Sequence, residues 1–259
     1  MAGDRNFDDL AHRFAANIHA STKGEIRQAV LKRDFESVLL PQLICSDKPV
    51  RVLDAGGGQG QMTVFFAERG FEVVLCDVSV EMLKQAKASI DAQGLSAQVT
   101  FYHGSIQQYL HTNPQPFDLI LCHALLEWLE EAEPVLTSLC DALTPEGWLS
   151  LLYYNLHGLV FKNLIRTNFK KIRTQKWQGS KRSLTPSNPL TPEQVNVWVA
   201  KLPLSIECES GVRVFNDYVF SRADRERQPE TLLRYELDYS RRKPYQQLAR
   251  YMHLLLRKQ

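Results

Sequence analysis

The 259-residue chain predicts a doubly wound α/β fold with a mostly parallel sheet, on three observations. Short buried strands alternate with helical patterns from Val50 to Tyr154. The first strand runs straight into a glycine-rich turn, Gly56-Gly57-Gly58-Gln59-Gly60, and the second ends in an acidic residue, Asp77, 21 positions after Gly56. The alternation calls for parallel strands joined by helices. The turn and the acid fall where such sheets bind a nucleoside.

Each element has a local reason. Thr22-Lys23-Gly24-Glu25 has the form of a capping box before a helix with Ile26, Val30, Leu31, Phe35, Val38 and Leu39 at its apolar positions. Pro41 and the Ser46-Asp47-Lys48-Pro49 cluster are expected to end it. Val50 to Asp54 reads as the first strand, and the helix after the glycine turn reaches about Arg69, with Gly70 as its stop. Phe71 to Asp77 is the second strand, and Ser79 caps a helix running to Gln93-Gly94. Gln98 to Tyr102, Phe117 to Cys122 and Trp148 to Tyr154 are the third to fifth strands, with a helix from Ala132 to Leu143 before the last. Thr191-Pro192-Glu193-Gln194 opens a further helix, with threonine at the cap and proline in the first turn. Leu204 to Cys208 and Val212 to Phe220, separated by Gly211, predict an antiparallel pair at the sheet edge, and a helical, arginine-rich tail closes the chain. The result is a Rossmann-like, seven-stranded sheet with an antiparallel edge strand and a basic insertion after the fifth strand.

With 44% hydrophobic and 23% charged residues the chain has the composition of a soluble globular protein. Its longest nearly apolar stretch, Phe117 to Leu129, is interrupted by Asp118, His123 and Glu127, so no membrane span is expected. The acidic N-terminus lacks an apolar signal core. The five cysteines (45, 76, 122, 140 and 208) form no Cys-x-x-Cys pair. A reduced, cytoplasmic protein without a metal site is therefore expected. The net charge of +2 hides an asymmetry. Eight of the 31 cations lie between Gly147 and Pro192, a window with none of the 29 acids, so the window is +8 and the remainder −6. Cations interleaved with Tyr153, Tyr154, Phe161, Phe169 and Trp177 suit an RNA-facing segment. The bland alternative is a solvated helix, which ordinarily mixes both signs. The tail residues Arg241, Arg242, Lys243 and Arg250 are expected to extend the same face.

The glycine turn reads Asp54-x-Gly-x-Gly-x-Gly, whereas a dinucleotide fingerprint needs glycine where Gln61 stands. Together with Asp77 it favours a nucleoside cofactor over a merely tight turn with a helix-capping aspartate. The loop resembles the signature of class I S-adenosylmethionine-dependent methyltransferases. Further segments are similar to one family within that class: residues 4–9 (Asp-Arg-Asn-Phe-Asp-Asp), Thr22-Lys23-Gly24 with Arg27, and Val52 to Gln61. So are His123-Ala124-Leu125-Leu126-Glu127-Trp128, Tyr154-Asn155-x-His157-Gly158 and Gly211-Val212-Arg213-Val214-Phe215. On these the chain resembles the tRNA 5-carboxymethoxyuridine methyltransferase family nearly end to end.

The resemblance implies S-adenosylmethionine as cofactor, the anticodon region of tRNA as partner, and methyl-esterification of the carboxymethoxy group of a wobble uridine. It implies that Arg27 holds the cofactor carboxylate, that Gly56 and Gly57 face its methionine part, and that Asp77 takes the ribose hydroxyls. The stretch with Ile106 and Gln107 would meet adenine, Ile106 through its backbone because smaller residues are common there. His123 would border the reacting centre. Residues 1–48 would cover the cofactor site, 49–154 and 191–259 would form the methyltransferase domain, and 155–190 the basic insertion. Lys170, Lys171, Arg173, Lys176, Lys181 and Arg182 would contact tRNA, although the family's cluster of lysines is here spread out.

A carboxylate acceptor is already anionic at neutral pH, so no general base is required. Tyr154, Asn155 and Arg213 are the candidates for positioning it, with backbone hydrogen bonds for the first two and an edge-strand salt bridge for Arg213 as alternatives. Competing functions are a methyltransferase for a small-molecule acid, hydroxyl or amine, and a non-catalytic RNA-binding module.

Overall fold

The structure, a computed structural model, describes residues 21–43, 49–177 and 185–259. The motif at residues 4–9, Cys45, and the pair Lys181 and Arg182 lie outside them. Among the described residues seven strands form one sheet: β1 (Arg51–Ala55), β2 (Glu72–Asp77), β3 (Val99–His103), β4 (Phe117–His123), β5 (Leu143–Tyr154), β6 (Leu204–Val212) and β7 (Tyr251–Lys258). Their order is β3-β2-β1-β4-β5-β7-β6. The first five run parallel, and β7 runs against both β5 and β6. Two apolar clusters, one on each face, bury strand residues such as Val52 and Leu119 on one side and Leu53 and Ile120 on the other.

Helices fill the crossovers. The first helix among the described residues, α1 (Thr22–Asp34), is capped by Ser21, one residue before the expected Thr22, because Ser21 Oγ accepts from the Gly24 amide. Pro41 does not end it: the chain widens into a π-helical stretch, Phe35–Leu39, and continues through α2 (Leu40–Leu43). Then follow α3 (Gln61–Ala67), α4 (Val80–Ala92), α5 (Ile106–Thr112) and α6 (Ala132–Asp141). After β5 come α7 (Leu156–Ile165) and α8 (Phe169–Thr174), then α9 (Pro192–Val199), α10 (Arg222–Arg227) and α11 (Pro229–Tyr239). Ser79 and Thr191 cap α4 and α9 as expected.

Two expectations fail at the C-terminal end. Val212 to Phe220 is not a strand beyond Val212. Glu236 of α11 accepts the amides of Val214 at 2.6 Å, Phe215 at 3.0 Å and Asn216 at 2.6 Å, and this carboxylate bends the chain away from the sheet. Arg213 at the bend has φ +64. The tail is not helical to its end either: Tyr251–Lys258 is β7, inserted between β5 and β6.

Candidate active site

The C-terminal ends of the parallel strands open into one pocket. Its floor is the glycine turn at the end of β1. Gly57 faces the carboxylate of Asp54 so closely that a Cβ would lie 2.6 Å from Asp54 Cγ, so any side chain here displaces the acid. Gly60, at φ +72, would bring a Cβ 3.0 Å from Leu75. Across the turn, the amides of Gly58 and Ser79 donate to the two oxygens of Asp77, at 2.9 and 2.8 Å. Asp77 thus braces the loop as well as lining the pocket beside Gly56, Gly57 and Met82.

From the other side α1 closes the pocket with Arg27 and Leu31, while His123, Glu127, Tyr154 and Tyr251 form the wall at β4, β5 and β7. An adjoining cavity behind Asp77 is lined by Gly104, Ile106, Gln107, Leu125 and Trp128. The structure therefore gathers Arg27, Gly56, Gly57, Asp77 and His123 in one pocket and Ile106 and Gln107 in its neighbour.

The charges are unusual for a buried site. Burial pushes the Asp54 carboxyl up to about 6, although Thr63 Oγ1 donates to it at 2.7 Å. Burial pushes Glu127 up to about 7, and its Oε2 has no hydrogen-bond partner among the described residues. Burial, with His253 and Arg27 nearby, holds His123 well below the usual imidazole range, so it is neutral. Its Nε2 meets Ser150 Oγ at 2.8 Å.

Beyond Tyr154 lies a second charged group. Asp217 is buried among Arg213, Arg250 and Lys162, whose nitrogens approach it to 2.5, 3.0 and 2.9 Å. Burial would raise its carboxyl, yet the three cations hold it well below the ordinary range. Arg250 also donates to the Tyr154 hydroxyl at 2.6 Å. The Tyr251 ring joins the two regions, with the Arg27 guanidinium 5.6 Å and that of Arg213 5.7 Å from its centroid.

Three expectations change here. Asn155 positions no acceptor, because it is fully buried, its Nδ2 donates to Gln247 and Ala249, and its Oδ1 caps α7 through His157. Arg250 belongs to the Asp217 cluster rather than to an RNA-facing surface. Arg241 donates to Asp34 at 2.6 Å. By contrast α8 buries none of its residues, and Lys170, Lys171 and Arg173 stand on it beside the exposed Phe169.

A family model described as a methyltransferase domain matches residues 52–147. The tRNA 5-carboxymethoxyuridine methyltransferase of Escherichia coli (strain K12) is 42% identical over 255 residues, 98% of this chain and 97% of that protein. The chain belongs to this methyltransferase family. The family is of the S-adenosylmethionine-dependent class I type. A ubiquinone biosynthesis O-methyltransferase of Xylella fastidiosa (strain 9a5c) is 31% identical over 99 residues, covering 38% of this chain and 39% of that one. Magnesium protoporphyrin IX methyltransferase from Synechocystis PCC 6803, solved with bound S-adenosylhomocysteine, shares the fold with a TM-score of 0.60 at 16% identity, covering 98% and 96% of the two chains.

The pocket fits the methyltransferase cofactor by charge. Asp54, Asp77 and Glu127 against Arg27 mirror a ligand carrying a sulfonium, an ammonium and one carboxylate. Among the described residues no cluster of three or more His, Cys, Asp and Glu could hold a metal, and no helix is long and apolar enough to cross a membrane.

Sequence reasoning missed Glu127, Asp217, Glu236, Tyr251 and the Asp34–His253 pair. Glu127 and His253 carried a signal, since each interrupts an otherwise apolar run. Asp217 and Glu236 carried none.

Proposed function

We propose that the protein moves the methyl of S-adenosylmethionine onto the side-chain carboxylate of 5-carboxymethoxyuridine at the tRNA wobble position, forming a methyl ester. The observation that carries this reading is the surplus of positive charge beside the pocket. Arg213, Arg250 and Lys162 outnumber Asp217, and the Arg213 guanidinium lies 5.7 Å from the centroid of the Tyr251 ring, which itself lines the pocket. An anionic acceptor is drawn to such a cluster, whereas a neutral hydroxyl or amine gains nothing from it.

The cofactor supplies an electrophilic methyl group. Arg27 takes its carboxylate, Gly56 and Gly57 let its methionine part approach, Asp77 accepts from its ribose, and Ile106 and Gln107 border its base. The acceptor carboxylate, with a pKa of ~4, arrives ionised and needs no base. Positioning in line with the methyl–sulfur bond is then the main catalytic task. Tyr154, fixed by Arg250 and with its hydroxyl pushed up to about 12 by burial, stays a neutral donor for the acceptor. His123 is a neutral wall. Because opposite charges cancel as the methyl moves, the buried pocket favours the step. Lys170, Lys171, Arg173 and Lys176, outside the pocket, meet the phosphates of the anticodon arm, and the exposed Phe169 offers a face for stacking.

The test is incubation of the protein with labelled S-adenosylmethionine and bulk tRNA, followed by mild alkali. Label on tRNA that alkali removes is expected of an ester. Label that survives alkali marks a ring or ribose methyl and contradicts the reading, and label only on small acids moves the acceptor out of RNA.

A further inference from the structure

Tyrosines and arginines crowd one surface that the cofactor pocket does not use. Phe215, in the bend after β6, meets Tyr239 of α11 at 5.2 Å and Tyr245 at 5.8 Å between ring centroids. Tyr239 stands edge-on to Tyr245 at 4.8 Å and lies 6.2 Å from Tyr235. Phe215 and Tyr239 are half-buried and form the base of the cluster, whereas Tyr235 and Tyr245 are 43% and 42% exposed. Two large rings left in water on one aromatic base make a patch rather than scattered single residues.

Cations frame the rings. The Arg234 guanidinium lies 5.2 Å from the Tyr235 centroid, and that of Arg242 lies 4.7 Å from the Tyr239 centroid. Asp238 stands four residues from each, yet both guanidiniums rest on the rings. A guanidinium stacked in this way keeps its outer N–H groups for an anionic oxygen. Lys243 is exposed beside them.

The patch is fastened at both flanks to the Asp217 cluster, the group of charges proposed above to draw the acceptor. Phe215 follows Arg213 by two residues, and Tyr245 precedes Arg250 by five. The Arg250 amide donates to the Arg213 carbonyl at 3.3 Å, and both guanidiniums hold Asp217. Glu236, on the helix that carries Tyr235 and Tyr239, holds the Phe215 amide. A uridine whose side chain enters a pocket must leave the base stack of its loop, so its neighbours lose a stacking partner. Aromatic faces with cations nearby are what such bases take up.

We propose that Tyr235 and Tyr245, with Arg234 and Arg242, form a stacking platform for unpaired bases of the anticodon loop next to the uridine that is methylated. This inference rests on the reading that the acceptor is a tRNA nucleotide. Protein partners also take tyrosines and arginines. RNA is favoured because the patch continues into the Asp217 cluster, and because no aliphatic residue of α11 or of the turn after it is exposed.

The test is the double variant Tyr235→Ala, Tyr245→Ala in the full chain, with tRNA binding measured beside saturating S-adenosylhomocysteine at several salt concentrations. Affinity for tRNA should fall about tenfold or more. The slope of log affinity against log salt should hold, because no phosphate contact is lost. Affinity for S-adenosylhomocysteine should stay within about twofold, since the rings lie outside the pocket. On an anticodon stem-loop with abasic residues flanking the uridine, wild type and variant should bind within about twofold of each other, since there is no base to stack.

Unchanged affinity for intact tRNA overturns the proposal, as does an equal loss for the abasic RNA. A wild type that sediments as a dimer, with a monomeric variant that binds tRNA normally, overturns it in favour of self-association. If the double variant fails to fold, Tyr235→Ser alone is judged by the same criteria. A wild type that binds no tRNA overturns the substrate reading and the platform with it, whereas tRNA labelled by the wild type and bound normally by the variant overturns the platform alone.

Discussion

The two halves of the site are built in opposite ways. On the cofactor side, Gly56, Gly57, Gly58 and Asp77 lie within 22 residues, tied by local bonds such as Gly58 to Asp77. On the side proposed for the acceptor, Tyr154, Lys162, Arg213, Asp217 and Arg250 come from a span of nearly 100 residues and meet where β7 inserts beside β5. The first half is a motif that a turn and a helix N-terminus enforce. The second is a buried ionic cluster whose members depend on one another. The cofactor half should therefore lose ligand affinity when altered, and the acceptor half should lose stability first.

The largest expected effect breaks the acceptor half. Asp217→Asn leaves Arg213, Arg250 and Lys162 facing one another in a buried space, at a cost of about 3–5 kcal/mol. Thermal melts should show a large fall in Tm. In the wild type the same group gives an acid limb. Its folded carboxyl titrates below its unfolded one, so its contribution is present above pH ~4 and is lost as pH falls further. A Tm for Asp217→Asn equal to the wild type would show that the cluster is not a unit.

Glu127→Gln should act with opposite signs on the two measurements. The folded chain holds the Glu127 proton up to about 7. Its stabilising contribution is therefore complete below the unfolded value and fades as pH rises through about 7. Removing the titration should stabilise the cofactor-free protein above pH 7 by on the order of 3 kcal/mol. It should also weaken binding of the positively charged cofactor. Melts at pH 6 and 8 with calorimetric titration of S-adenosylmethionine check both signs.

Asp77→Ala should weaken S-adenosylmethionine binding about a hundredfold by calorimetry, since it removes charge-assisted bonds and the brace on Gly58 and Ser79. Unchanged affinity would remove Asp77 from the site. A smaller effect is expected at α8. Reversing Lys170, Lys171 and Arg173 should raise KM for tRNA about tenfold while S-adenosylmethionine affinity holds, and should flatten the salt dependence by roughly 0.7 per lost phosphate contact. Equal changes in both affinities would make α8 a structural element.

The same contrast explains what the sequence made legible. The first five strands, the caps Ser79 and Thr191 and the glycine turn were readable because each is enforced by neighbours a few residues away. The strand at Tyr251–Lys258 was not, because its partners lie at Trp148–Tyr154 and Leu204–Val212, and a short apolar run before a charged end fits a helix as well. Val214 to Asn216 has strand-like residues, but Glu236 takes the three amides a ladder would need. Asn155 sits at a strand end where ligands bind, yet its side chain is claimed by carbonyls more than 90 residues away. Arg241 and Arg250 looked like surface cations, and only the fold shows the buried acids Asp34 and Asp217 that take them.

The account stands on an acceptor that needs no base, which a single-turnover pH profile of His123→Gln with saturating cofactor and tRNA tests directly. The predicted profile is flat from about pH 6 to 9, because the attacking carboxylate is ionised throughout. A rate in the wild type that rises tenfold per pH unit and vanishes in His123→Gln would make His123 a general base and contradict the carboxylate acceptor.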